Sequence, residues 1–285
     1  MSIFANLIPQ RFRNDAPIIP LVRLSGAIGA SSGLRSGGLS LAGIEQALAK
    51  AFAVKKAPAV ALLINSPGGA AVQSHLIFKR IRALAEEKGK KVIVAVEDVA
   101  ASGGYMIAAA GDEIVVDASS IVGSIGVLFS GFGFTGLIDK LGIERRVHTA
   151  GQSKAMLDPF RPEKEEDVAR LKAMQADVHA GFIALVKSRR PQLIDDPDLF
   201  TGAFWSGARA VELGLADRVG DLRQVLREKY GDRVRVLAIP TQKTGWLRRR
   251  LGMSGSYESA SLISTIADRV IAIVEERLLW NRFGL

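Results

Sequence analysis

The 285-residue sequence contains no cysteine. That excludes a disulfide scaffold, a thiolate nucleophile and thiolate metal ligation. Histidine is scarce: His75, His148 and His179 are the full set, and no spacing among them resembles a metal-binding HExxH helix. No metal or cofactor is therefore expected, and no histidine-based triad is signposted. No apolar run reaches the ~18 residues that read as a membrane span. The N-terminal MSIFANLIPQRFRNDAP places Arg11, Arg13 and Asp15 where a signal-peptide core would continue. The glycine-rich GAIGASSGLRSGGLS (26–40) lacks the GxGxxG or GxxxxGK[ST] spacing of a phosphate cradle and reads as a mobile loop.

Lysine and arginine total 38 against 29 acidic residues, a net charge of +9. The basic residues are spread along the chain, with one cluster at Arg248 to Arg250. This reads first as a soluble basic protein and, more sharply, as one attracted to an anionic membrane surface. No aromatic-interleaved basic motif occurs, so nucleic acid is not an expected partner. The expected location is the cytoplasm, with peripheral contact at the inner membrane as the variant reading.

Nearly half the residues are hydrophobic, enough for a full core. Short apolar runs alternate with helical patterns. IIPLVRL (18–24) predicts a strand, LAGIEQALAKAFA (41–53) a helix and APAVALLI (57–64) a buried strand ended by Asn-Ser-Pro-Gly-Gly. A helical period follows over 71–89, then the strand KVIVAVE (91–97). Strand and helix alternating at this spacing imply parallel strands with helical crossovers. EIVVD (113–117), SIGVLF (124–129) and RRVHTAG (145–151) also read as short strands. Residues 162–190 read as a long helix opened by Pro162 and an acidic first turn. A short helix at 206–217, closed by Gly214, and a strand at 234–240 complete the expected domain, 18–240. Residues 1–17 read as an extension, and 241–285 as a linker and an amphipathic tail helix (261–280) that packs on protein or touches lipid.

Three local features bear on chemistry. Ser102, in DVAASGGYMIAAAG (98–111), stands where an apolar strand meets a helix-like run. Such a serine is a plain N-cap or a nucleophile. Lysine can activate a serine, but only when neutral. Lowering a lysine pKa from about 10.4 to about 7.5 costs roughly 4 kcal/mol and requires desolvation. Most lysines here sit in polar contexts; Lys154 differs, with Ala155, Met156 and Leu157 beside it. An oxyanion hole needs backbone N–H groups aimed at a developing charge. Gly68-Gly69, after a buried strand, and Gly103, after Ser102, can supply them, although either Gly-Gly pair could equally be a tight turn.

Together the residues resemble the signal peptide peptidase A family, the SppA/SohB-like Ser/Lys peptidases of the crotonase/ClpP-like superfamily. The resemblance runs from about 18 to about 225. Its markers are INSPGG (64–69), AASGGYMIA (100–108), VGSIGV (122–127), GQSKAMLDPF (151–160) and FTGAFWSGARAVELGLADRVG (200–220). It implies an α/β fold, a repeated β-β-α spiral with parallel sheets and helical crossovers. It implies Ser102 as nucleophile, Lys154 as general base and Ser124 as the residue holding the lysine amine. The oxyanion hole falls to the amides of Gly69, with Gly68 as neighbour, and Gly103. Ser153 stands where an aromatic often precedes the lysine, and the membrane anchor of many members is not readable here.

The chain carries one copy of the catalytic unit. In short members the serine and lysine of one site come from neighbouring subunits of a ring. The resemblance thus implies a homo-oligomeric serine endopeptidase that cleaves hydrophobic peptides, such as signal-peptide remnants or misfolded proteins, without a cofactor. Two rival readings stand beside it. One is an acyl-CoA hydratase or hydrolase on the same fold, which would not need Ser102 and Lys154. The other is a non-catalytic scaffold that binds membrane partners.

Overall fold

The apolar runs build the centre of the molecule. The computed structural model describes residues 16–29, 38–241 and 277–285. In it the chain runs through β1 (Ile18–Ser25), α1 (Leu41–Ala53), β2 (Ala59–Ser66), α2 (Ala71–Lys88) and β3 (Lys91–Ala101). These strands are parallel neighbours. Their apolar residues are buried on both faces, as parallel strands covered by helices require. Ser40 caps α1 by accepting the Gly43 N–H, and Gly89 ends α2 in the left-handed conformation, φ 60°.

Beyond β3 follow α3 (Gly103–Ala108), β4 (Glu113–Val116), β5 (Ile121–Gly123), α4 (Thr135–Lys140) and α5 (Glu165–Arg189). Then come β6 (Phe204–Ser206), α6 (Gly207–Glu212), β7 (Arg218–Val219), α7 (Leu222–Tyr230) and β8 (Arg235–Ile239). The sheet order is β6-β5-β3-β2-β1-β8, with β4 between β3 and β7. All pairs are parallel except β5 with β6. The α/β class with a parallel sheet and helical crossovers is therefore the architecture observed. β3 is its pivot: Ile93 to Val96 pair with β4, while Val99 to Ala101 pair with β5.

One face of the sheet buries Ile44 and Leu48 of α1 with Ile77 and Ile81 of α2. The other buries Val225 and Leu226 of α7 against Ile19, Ala61 and Ile93. At the far end Arg190, 3% exposed, makes a two-point ion pair with Asp217 at 2.8 and 3.0 Å and donates to the Gly214 carbonyl. Asp217 also accepts the Ile114 N–H at 2.6 Å. The cluster fastens the end of α5 to β4 and to the turn after α6.

Two predicted strands are not strands. Residues 124–129 leave the sheet because Gly123 and Ser124 adopt φ of 114° and 53°, which turns the chain away just past β5. Residues 145–151 pair with no strand among the described residues and run largely exposed and irregular. α4, β6, β7 and α7 were not predicted: β6 and β7 have three and two residues, too short for periodicity to register. Most of the 26–40 loop, the extension before residue 16, the linker and residues 261–276 of the tail lie outside the described residues. The tail's last turns do pack on protein: Phe283 and Trp280 cover Val99, Ala101 and Ile121.

Candidate active site

Ser102 sits at the junction of β3 and α3, half-buried. Its backbone has φ 52° and ψ −121°, a combination that side chains disfavour and that costs about 1–3 kcal/mol. The cause is local. The strand ends in the sheet while the helix must start at once, and two bonds hold the corner. The Ser102 N–H donates to the Gly123 carbonyl at 2.8 Å, and the Ser102 carbonyl accepts from Met106 at 3.0 Å. The hydroxyl makes no capping bond, so the N-cap reading of this serine fails.

The Pro-Gly-Gly turn is pressed against this corner. A Cβ added to Gly68 would lie 2.8 Å from the Ser102 Cβ and 2.9 Å from the Gly103 nitrogen, so no larger residue fits. Gly68 and Gly69 have φ of 100° and 141°, the region glycine tolerates. The turn is fixed by the Ile28 N–H donating to Gly68 and the Ala70 N–H donating to Ile28, both 2.8 Å. The Ser66 hydroxyl donates to the Gly26 carbonyl at 2.7 Å and accepts the Gly68 N–H at 3.3 Å. The Gly68 amide is thus already used. The N–H groups of Gly69 and Gly103 have no acceptor among the described residues; Gly103 directly follows the serine, and Gly69 follows the Gly68 that packs on it. Gly103 lies so close to the Ser74 hydroxyl that a Cβ there would collide with it.

α3 is anchored from below. Tyr105 is fully buried and its hydroxyl donates to the Leu215 carbonyl at 2.8 Å. Burial pushes its phenol far above the ordinary range, so it stays a neutral donor. Tyr105→Phe should leave that carbonyl unpaired and cost about 1–3 kcal/mol. Chemical denaturation monitored by tryptophan fluorescence checks this, and an unchanged midpoint would remove the anchor role.

Ser124 is buried, follows the Gly123 that holds Ser102, and donates its N–H to the Ala203 carbonyl at 2.6 Å. His179 of α5 reaches the next carbonyl, Ile125, at 3.1 Å. The structure thus brings Ser102, Gly103, Gly68, Gly69 and Ser124 together. No hydrogen bond or ion pair among the described residues links Lys154 to them. Lys154 lies in the exposed loop between α4 and α5, and its ammonium has no hydrogen-bond or ion-pair partner among the described residues. The apolar setting expected of this lysine is absent in the single chain.

Sequence reasoning missed Ser66, Ser74 and His179. Only Ser66 had a signal, standing two residues before the glycine turn. Among the described residues no group of three acidic or histidine side chains could hold a metal ion. No described helix is long and apolar enough to cross a membrane.

The candidate site is thus a serine in a strained conformation at a strand–helix corner of an α/β sheet, with the glycine turn packed against it. A model of peptidase family S49 matches residues 84–233, and the chain belongs to that family. A candidate protease of Synechocystis sp., slr0021, is 32% identical over 87% of this chain and 89% of its own length. A candidate signal peptide peptidase SppA of Enterococcus faecium is 31% identical over 78% of this chain and 65% of its own. The Na(+)/H(+) antiporter NhaA of Brucella abortus is 55% identical over 100% of this chain, which spans 39% of that relative's length.

Proposed function

We infer that the protein is a serine endopeptidase working through Ser102 and Lys154. The Ser102 hydroxyl attacks a peptide carbonyl while Lys154, neutral, takes its proton. The tetrahedral oxyanion lies between the amides of Gly69 and Gly103, where preorganised donors stabilise developing charge. The leaving amine takes the proton back from Lys154. Water, deprotonated by the same lysine, then attacks the ester carbonyl, and Lys154 returns that proton to the Ser102 oxygen as its bond to the acyl group breaks. Ser124 orients the amine. The observation that supports this reading is the packing of the Pro-Gly-Gly turn against Ser102 and the Gly103 nitrogen.

Lys154 is exposed in one chain, so the desolvation a neutral lysine needs must come from another surface. The segment before it exposes Leu128, Phe129, Phe132, Leu137, Leu141 and Ile143, apolar side chains of the kind that association covers. Covering it with a second copy would bury the loop and deliver Lys154 to the neighbour's Ser102. The expected assembly is a closed ring, which also restricts entry to short or unfolded peptides. Hydrophobic peptides, such as signal-peptide remnants, are the expected substrates. The antiporter activity in the Brucella relative's name is not carried over, since the chain matches 39% of that protein.

Mixing tests the shared site. Ser102→Ala and Lys154→Ala proteins, each inactive alone, should recover activity when dissociated and reassembled together. In a 1:1 mixture about one quarter of the sites combine an intact serine with an intact lysine from different chains. Recovery measured with a fluorogenic peptide supports the reading; no recovery, despite proven co-assembly, refutes sharing.

A further inference from the structure

The loop that carries Lys154 is exposed, yet one of its side chains is not. Asp158 follows Lys154 by four residues, and its side chain is 5% exposed. One carboxylate oxygen accepts the Phe160 N–H at 3.0 Å and also accepts from the Arg145 guanidinium. The other has no hydrogen-bond partner among the described residues and faces Arg161 at 3.7 Å. The Phe160 N–H is the largest influence holding this carboxyl below its usual range, and Arg145 and Arg161 add to it against the opposing effect of burial. A carboxylate is costly to bury beside an unfilled oxygen, so packing alone does not account for this residue.

The surrounding contacts form a clamp. The Arg145 guanidinium lies over the Phe160 ring, 4.7 Å from its centre. Phe160 packs on Phe134 at 5.5 Å, and the Phe134 N–H donates to the Pro159 carbonyl at 2.6 Å. On the other side of the lysine, the Ser153 hydroxyl accepts from Arg170 of α5 at 3.1 Å. Between the two fixed points the chain makes consecutive turns, Lys154 to Gly151 and Met156 to Ser153, and passes Leu157 at φ 56°. Lys154 is left standing between its anchors, its amine without a partner among the described residues.

We propose that Asp158, paired with Arg145 and seated by Phe160, is a positioning residue that fixes the Lys154 loop so that its amine is presented to Ser102. The proposal rests on the Ser102–Lys154 reading above. Asp158 acts through the loop and touches no reacting atom. Its loss therefore disperses the position of the base without weakening substrate binding. Misplacing a reacting group by about 1 Å can cost about 100-fold in rate.

Asp158→Asn keeps the shape and the acceptor for the Phe160 N–H but removes the charge facing Arg145. The test measures kcat, KM, the rate at which a fluorophosphonate probe labels Ser102, particle mass and thermal midpoint for Asp158→Asn, Arg145→Gln and their double variant. The expected result is a fall in kcat and labelling rate of about 10- to 100-fold, with KM, mass and midpoint unchanged. The double variant should be no worse than either single one, and Arg145→Lys should recover part of the rate. Unchanged kcat, losses that add in the double variant, or a rate loss accompanied by a lower midpoint or broken particle would each overturn the positioning role. Lys154→Ala in the same assay separates the two levels. If it is inactive while Asp158→Asn is normal, only the positioning role falls. If it turns over normally, the dyad reading falls and this proposal with it.

Discussion

Ser102→Ala should lower kcat/KM on a hydrophobic peptide by ~10⁴-fold or more, with Lys154→Ala close behind and the double variant no worse than either. Groups that act as one unit lose nearly everything when one is removed. A small residual rate should survive, because the Gly69 and Gly103 amides still stabilise an oxyanion. The fold should be indifferent to the serine change. Alanine bears the same φ of 52°, and the hydroxyl has no hydrogen-bond partner among the described residues. Particle mass and melting temperature therefore serve as controls. Normal turnover by either purified variant would refute the role assignment.

The largest expected loss of stability lies away from the site. Arg190→Met removes the partner of Asp217 and the donor to Gly214. Breaking a buried pair from one side typically costs ~3–5 kcal/mol. Asp217 keeps 29% of its side-chain exposure, so water can repay part of the charge, and ~3 kcal/mol is the expected figure. For a chain of this size that corresponds to a melting temperature lower by ~6–12 °C. Replacing both residues, Arg190→Met with Asp217→Asn, should recover part of the loss, since a neutral amide leaves no unpaired charge and still accepts the Ile114 N–H. Differential scanning calorimetry decides it: a single-variant shift below 2 °C would show that the pair is not what fastens α5.

Sequence reasoning located the elements that bury a continuous apolar face. β1, α1, β2 and α2 fall within a few residues of their predicted bounds, because periodicity and end signals agree there; α5 does too, although it buries only Phe182 and Val186. It failed where a strand exists only through its neighbour. SIGVLF has the composition of a strand, but the left-handed turn at Gly123 and Ser124 carries it off the sheet. β6 is three residues long and depends on antiparallel pairing with β5. Neither fact has a local signature.

The candidate site divides in the same way. The family resemblance, carried by short motifs, implies Ser102, the glycine turn, Ser124 and Lys154 as a set; residue type by itself left Ser102 as cap or nucleophile and the glycine pairs as possible tight turns. Proximity is a different matter. That Gly68 touches Ser102, and that the Gly68 amide is bonded to Ser66 while the Gly69 amide has no acceptor among the described residues, follows from β2 and β3 lying side by side. The exposure of Lys154 and the burial of Asp158 four residues later likewise emerge only when distant segments meet. Composition cannot encode burial at a single position, since burial depends on what the rest of the chain brings to that place.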